Sequence, residues 1–296
     1  MPVDSKILPF RFRCLEPSNL TDALNLCSQS GDQVAILAGG TDLLIKIKRQ
    51  MVQPEILIGL QRVPELQQIQ TNEQGLRLGA TVTLSGAEHY PAIQREYSAL
   101  YEALRSMAAP AIRNMATLGG NLCNASPAAD TAPPLLAFDA QLRLQKSGQE
   151  RLVPLTQFFL GPGSSCLAPG ELLTEICLPA PLPDSGSAFL KLGRVSCDIA
   201  KVNAATYLQR RGTVCTLCRA AVGSVAPTPV RIFQVEQLLE GAVVDSNLLR
   251  QAAEAGAKAI VPIDDIRSTA KYRRQVSRVM LEEVLQAAWI RAGGVL

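Results

Sequence analysis

The sequence predicts an α+β protein in two parts, residues 1–180 with a subdivision near residue 60, and a smaller α+β part over residues 185–296. Three observations carry that expectation. Roughly the first sixty residues alternate compact apolar runs with helix-like stretches, as a small β-α-β-α-β unit does. The run Pro179-Ala180-Pro181-Leu182-Pro183-Asp184-Ser185-Gly186 holds too much proline for a helix or a central strand and reads as a linker. Beyond it, strand-like runs come first and helical ones follow, the order of an α+β segment.

Taken in order, residues 7–14 read as a short strand. Ser18 or Thr21 then caps a helix over residues 22–28, with Ala23, Leu24 and Leu26 on its apolar stripe. Residues 34–38 form a compact buried strand that runs into Gly39-Gly40-Thr41-Asp42 and the helix-like 43–46. A strand, a glycine turn and a helix start bring free N–H groups together, which suits an anion. Residues 55–59 are the next strand. From Leu66 the pattern shortens, with strands at 66–69, 76–80 and 81–83 about a turn at 72–75. Ser85 is expected to cap a helix. Residues 97–109 make another, with Leu100, Ala103, Leu104 and Met107 at helical spacing and Pro110 at its end. Residues 141–144 alternate polar and apolar as a strand does, and 152–155 and 171–178 complete the larger part. After the linker, 188–192, 198–209 and 214–222 suit an antiparallel sheet. Helices are expected at 230–239, 246–259 and 271–292.

Composition narrows the function. The chain of 296 residues is 47% hydrophobic and 19% charged, ordinary for a folded soluble protein. Aromatic residues make up only 4%, too few for base-stacking platforms, and a net charge of +3 spread along the chain gives no nucleic-acid footprint. The basic clusters at 46–49 and 271–274 are expected on solvated faces. No run approaches the ~18 apolar residues of a membrane span. The opening MPVDSKILPF lacks the charged-then-apolar pattern of a signal peptide, so cytoplasmic folding is expected, with the eight cysteines reduced. Cys215 and Cys218 form the one Cys-x-x-Cys pair, but no second pair or nearby histidine completes a zinc site, and iron–sulfur spacing is absent. They read as core residues. The sole histidine, His89, reads as a surface turn residue, and no acid–base pair stands out. No catalytic residue and no metal ligand is therefore nominated.

Two loops carry the chemistry. Residues 117–140, TLGGNLCNASPAADTAPPLLAFDA, are poor in large side chains and dense in short polar ones: Asn121, Asn124, Ser126, Asp130 and Thr131. Such a segment suits a backbone that approaches a ligand closely. Its companion is the earlier Ala38-Gly39-Gly40-Thr41-Asp42, and the pair suggests two backbone cradles for one long, phosphate-bearing cofactor. Asp42 would repel a phosphate and is expected to cap loop amides instead. Gly161-Pro162-Gly163-Ser164-Ser165-Cys166 lacks the last glycine and the strand–turn–helix setting of a dinucleotide fingerprint, and no Walker Gly-Lys-Ser/Thr occurs.

GGTDLL at residues 39–44, followed by the 117–140 stretch, resembles the signature pair of the FAD-binding (medium) subunit of the molybdenum hydroxylases, the xanthine dehydrogenase and carbon monoxide dehydrogenase family. The runs at 170–176, 189–194, 198–200 and 265–274 agree with that family in order and spacing, so the resemblance spans nearly the whole chain. It implies an FAD-binding fold of the vanillyl-alcohol-oxidase (PCMH) type, two α+β subdomains enclosing FAD, plus a smaller α+β C-terminal domain. It also implies site roles. Ala38, Gly39, Gly40, Thr41, Asp42 and Leu43 would wrap the pyrophosphate. Thr117, Gly120 and Asn121 would contact the phosphate and ribityl portion, with Cys123 alongside. Asp130 would accept from a sugar hydroxyl, Leu173 would pack on the cofactor, and Lys191 would sit near the flavin or its adenosine end. Asp198 would lie on a loop near the isoalloxazine. A flavin-only chain of this family would work with a small iron–sulfur subunit and a large molybdopterin subunit, and would deliver electrons to a soluble acceptor. The competing readings are a stand-alone, non-covalent flavin oxidase or reductase of the same fold, and an assembly factor that has lost its flavin.

Overall fold

The computed structural model describes residues 10–29 and 33–296. The first layer is β1 (Arg13–Leu15), α1 (Leu20–Gln29), β2 (Val34–Leu37), α2 (Leu43–Lys48) and β3 (Ile56–Gly59), with the strands parallel in the order β1-β3-β2. Residues 7–9 of the expected first strand lie outside the described residues. Helices cover both faces of this small sheet. Ala23 and Cys27 of α1 pack with Ile58 on one, and Ile47 of α2 packs with Ala35 and Leu57 on the other. Strands with helices on both faces read as unbroken apolar runs, which is why β2 and the central β3 were legible.

The second layer is an antiparallel sheet interrupted by helices. Its elements are β4 (Ile69–Asn72), β5 (Gly75–Gly79), α3 (Leu84–Glu88), α4 (Pro91–Glu96), α5 (Ser98–Ser106), α6 (Pro110–Arg113), α7 (Leu118–Cys123), α8 (Ala132–Ala137), β6 (Gln141–Lys146), β7 (Gln149–Pro154), the small ladder β8 (Phe159–Gly161) and β9 (Ser164–Ser165), and β10 (Leu172–Pro179). The sheet order is β4-β5-β10-β6-β7. Several expectations shift here. Residues 64–67 form a 3-10 turn rather than a strand. Residues 81–83 are not a strand but end in a single bridge from Thr83 to Thr117. Thr83, not Ser85, caps α3, because its hydroxyl accepts the N–H of Gly86 at 3.0 Å. The helix expected over 97–109 ends at Ser106, and a separate helix precedes it. Tyr97 (φ −120°, ψ 55°) is the break between the two, its ring buried and its hydroxyl donating to the Pro179 carbonyl at 3.0 Å.

The third layer is β11 (Ser185–Leu192), β12 (Val202–Arg211), β13 (Val214–Gly223) and β14 (Val230–Arg231), antiparallel in that order. It is followed by α9 (Phe233–Leu239), α10 (Ser246–Ala259) and α11 (Ala270–Arg291). The helix expected from residue 230 starts three residues later, because Val230 and Arg231 pair with Val222 and Ala221. Cys215 and Cys218 are fully buried on β13, as core residues. Asp245 and Thr269 cap α10 and α11 through Leu248 N–H (2.7 Å) and Tyr272 N–H (3.2 Å).

The proline-rich crossover between β10 and β11 is clamped rather than loose. Tyr97 holds Pro179, and the Tyr207 hydroxyl accepts the Leu182 N–H at 2.8 Å. Tyr97 meets Phe138 edge to face and Phe138 meets Tyr207 at a 45° tilt, with centroids 5.1 and 5.2 Å apart, so the second and third layers share one core.

Arg273 departs from the solvated face expected for it. It is 4% exposed, donates to the carbonyls of Lys201 (2.7 Å) and Ser224 (2.9 Å), and pairs with Asp265 (2.7 Å). It thereby pins the first turn of α11 to both ends of the β12–β13 hairpin. Arg273→Met should lower stability by about 3 kcal/mol, since it leaves the Lys201 and Ser224 carbonyls without their donor and takes one cation from Asp265. Arg278→Met, which removes only a partly exposed pair with Glu282, should cost less than about 1 kcal/mol. Urea midpoints of the two variants check this.

Candidate functional site

The exit of β2 lies against the entry of α7. A Cβ built on Gly39 would stand 2.0 Å from the carbonyl oxygen of Met115 and 2.9 Å from the Ala116 Cα, so backbone rests on backbone there. Gly40 follows at φ +73°, a left-handed conformation open to glycine at little steric cost. Across the junction, Thr117 is extended and caps α7, its hydroxyl accepting the Gly120 N–H at 3.1 Å. A Cβ on Gly120 would sit 3.9 Å from that of Ala38. Two loops about eighty residues apart in sequence thus face each other across one cleft.

Twelve of the residues singled out in the sequence line that cleft: Ala38, Gly39, Gly40, Thr41, Asp42, Leu43, Thr117, Gly120, Asn121, Cys123, Asn124 and Leu173. Its free space is about 1070 Å³ with the open mouth included, enough for an extended ligand. Leu173 reaches it from β10, directly before a bulge in the pairing with β6, a local bend that turns the strand toward the site. Asp130 and Lys191 are not part of the lining. They form a buried ion pair (Nζ–Oδ2 2.6 Å, side chains 7% and 6% exposed), with Asn203 donating to the other carboxylate oxygen at 2.7 Å. Burial pushes the Asp130 pKa up, while Lys191 and Asn203 act the other way. Next in the chain, Thr131 donates to the Asn121 amide oxygen at 2.6 Å, so this buried cluster orients a cleft residue from behind. Asp198 lies apart, at 3.5 Å from Arg194.

The two loops do not offer the same chemistry. Among the described residues, the N–H groups of Gly40, Thr41, Asp42 and Leu43 have no acceptor. Those of Leu118, Gly119, Gly120 and Asn121 are already taken by Val82, Ala80, the Thr117 hydroxyl and the Thr117 carbonyl. The expected pair of backbone cradles is therefore one cradle and one wall of side chains. Asp42 makes no capping bond to the loop, contrary to its expected role, and its side chain faces solvent.

Three polar lining residues escaped the sequence reading. Lys46, assigned to a solvated face, lines the cleft and donates to Asn124 Oδ1 at 2.7 Å. Its position one helical turn after Asp42 was the available signal. Thr81 is 8% exposed, and its hydroxyl has no partner among the described residues; nothing in the sequence marked it. Glu171 is gripped by Arg151 through two 2.8 Å bonds, which hold its carboxyl below the usual range. Loss of water around Cys123, with Cys166 nearby, pushes its thiol up to about 12, so it serves as a neutral wall. Free loop amides, an orphaned hydroxyl and an apolar back wall together fit a dinucleotide with a diphosphate and a flat ring. Among the described residues, no cluster of three or more His, Cys, Asp or Glu is placed to hold a metal. No helix among them is long and apolar enough to cross a membrane.

Gly39→Ala forces a methyl onto the Met115 carbonyl and should cost about 1–3 kcal/mol by overpacking. Gly161→Ala, where nothing lies within 4 Å, should stay within about 0.5 kcal/mol of wild type. Thermal unfolding of the two variants checks the difference.

The family described as the FAD binding domain in molybdopterin dehydrogenase matches residues 10–181, and the CO dehydrogenase flavoprotein C-terminal domain matches residues 187–288. The xanthine dehydrogenase FAD-binding subunit of Escherichia coli O157:H7 is 33% identical over 282 residues, 94% of this chain and 96% of that one. The carbon monoxide dehydrogenase medium chain of Hydrogenophaga pseudoflava is 31% identical over 285 residues, 96% and 99% of the two chains. A solved structure of the carbon monoxide dehydrogenase from Hydrogenophaga pseudoflava superposes with a TM-score of 0.92 at 32% identity, covering 96% of this chain and 99% of that one. The chain belongs to the FAD-binding subunit family of the molybdopterin dehydrogenases, the molybdenum hydroxylases.

Proposed function

We propose that this oxidoreductase flavoprotein subunit holds FAD without a covalent bond and passes electrons from iron–sulfur clusters on a small partner chain to a soluble acceptor. The organic substrate is oxidised on a large molybdopterin chain. The observation that carries the reading is the single cleft between two distant loops, one with unpaired N–H groups and the other with short polar side chains. Relatives named as medium chains and FAD-binding subunits of dehydrogenases support the division of labour.

The roles follow from what each group can donate. The N–H groups of Gly40, Thr41, Asp42 and Leu43 meet the diphosphate, which needs several donors at once. The side chains of Thr117 and Asn121 address the sugar-alcohol portion, and Leu173 and Cys123 exclude water from the ring. Asp130 and Lys191 act from behind that surface, by fixing the turn that carries Thr131 and hence Asn121. When bound, FAD supplies the exchange between one-electron and two-electron carriers; the protein supplies binding and orientation. No acid–base pair of this chain is asked to do substrate chemistry.

The purified chain should take up one equivalent of FAD, and acid precipitation should leave all of the flavin in the supernatant. Flavin retained by the precipitate would point to a covalent link, and no uptake at all would favour the assembly-factor reading. Asn121→Ala should weaken FAD binding about tenfold, as expected for losing a hydrogen bond in a shielded site. Organic-substrate turnover should appear only when the two partner chains are present. Turnover by this chain alone would favour the stand-alone oxidase.

A further inference from the structure

We propose that Lys46 is the cation that meets the diphosphate of the bound dinucleotide, and that Asn124 holds its ammonium ready across the cleft. The inference rests on the reading of the cleft as an FAD site and adds a residue that the two-loop signature does not contain.

The charge inventory of the cleft leads to it. Among the described residues, three charged side chains line the space: Asp42, Lys46 and Glu171. Glu171 is neutralised by its two bonds to Arg151. Asp42 is exposed and makes no capping bond. A diphosphate diester is a dianion, and loop amides donate hydrogen bonds to it without cancelling its charge. With Asp42 beside the same amides, a site lacking Lys46 would repel the group it has to bind. Among the described residues, Lys46 is the one cation in that lining.

Its placement fits the task. The backbone N–H of Lys46 donates to the carbonyl of Asp42 at 3.0 Å, so its stem rises one turn beyond the cradle. Its Nζ ends 2.7 Å from Oδ1 of Asn124, the residue that caps the C-terminal end of α7. The ammonium therefore bridges the helix that follows one loop and the helix that follows the other. Asn124 is its one acceptor among the described residues, which leaves two of its three N–H groups for phosphate oxygens. The choice of partner matters. An amide oxygen orients the ammonium while leaving its charge available, whereas a carboxylate at 124 would neutralise it.

FAD titrations at low and at high potassium chloride, with wild type, Lys46→Gln, Lys46→Arg and Asn124→Ala, test the proposal. Circular dichroism and the melting temperature show that each variant is folded. Lys46→Gln should bind FAD about tenfold more weakly at low salt, and its affinity should depend less on salt than that of wild type. Lys46→Arg should restore most of the affinity and the salt dependence. Asn124→Ala should lose a few-fold in affinity with the salt dependence intact. The proposal is overturned if Lys46→Gln matches wild type. It is also overturned if affinity falls while the salt dependence is unchanged, since Lys46 would then be only a strut between the loops. A wild-type chain that takes up no FAD would instead remove the site reading itself.

Discussion

The structure depends on one close contact, the Met115 carbonyl set against the α-carbon of Gly39. That approach leaves no room for a side chain, and it joins the parallel first layer to the helical insert of the second. Everything lining the cleft is placed from there. Gly40 turns left-handed just beyond the contact, α2 starts on one side, and Thr117 starts α7 on the other. A family signature of small residues is thus first a packing requirement. The binding surface follows from it, because two backbones can meet this closely only where side chains are absent.

The cleft divides its labour by hydrogen-bond bookkeeping. In the second loop the amides are consumed by Thr117 and by the carbonyls of Ala80 and Val82, which stiffens it and leaves side chains to face the cleft. In the first they stay open, so it suits the most charged part of a ligand. Behind both, the Asp130–Lys191–Asn203 cluster links β11 and β12 of the third layer to Thr131, and through it to Asn121. The C-terminal layer therefore takes part in shaping the site while contributing no residue to the cleft wall beside the two loops. The shared core around Phe138 and Tyr207 makes that coupling rigid.

Much of this was legible in the residues. The strands at 34–37 and 56–59 have helices packed on both faces and read as unbroken apolar runs, and α10 and α11 are long and periodic with cap residues at their starts. The two loops stood out because small and polar residues cluster there without a helical or strand period. What was missed depends on tertiary partners. Thr83 displaces Ser85 as a cap because Thr83 itself bridges to Thr117, and Tyr97 breaks a periodic helix to reach Pro179. Lys46 and Arg273 sit in basic clusters that look solvated in one dimension, yet each has a fixed acceptor far away in the chain. Asp130 and Lys191 were expected beside the cofactor, and the structure pairs them with each other behind the cleft wall. Periodicity locates elements; it does not report which long side chains find buried partners.

The central claim is that the open amides of residues 40–43 receive the diphosphate of FAD. Amide hydrogen exchange followed along the chain, with and without saturating FAD, tests it most directly. The account predicts that FAD slows exchange strongly at residues 40–43, whose N–H groups have no acceptor in the protein alone, with a much smaller change at residues 118–121, whose N–H groups are already bonded. Unchanged exchange at residues 40–43 under conditions where FAD is demonstrably bound would contradict it.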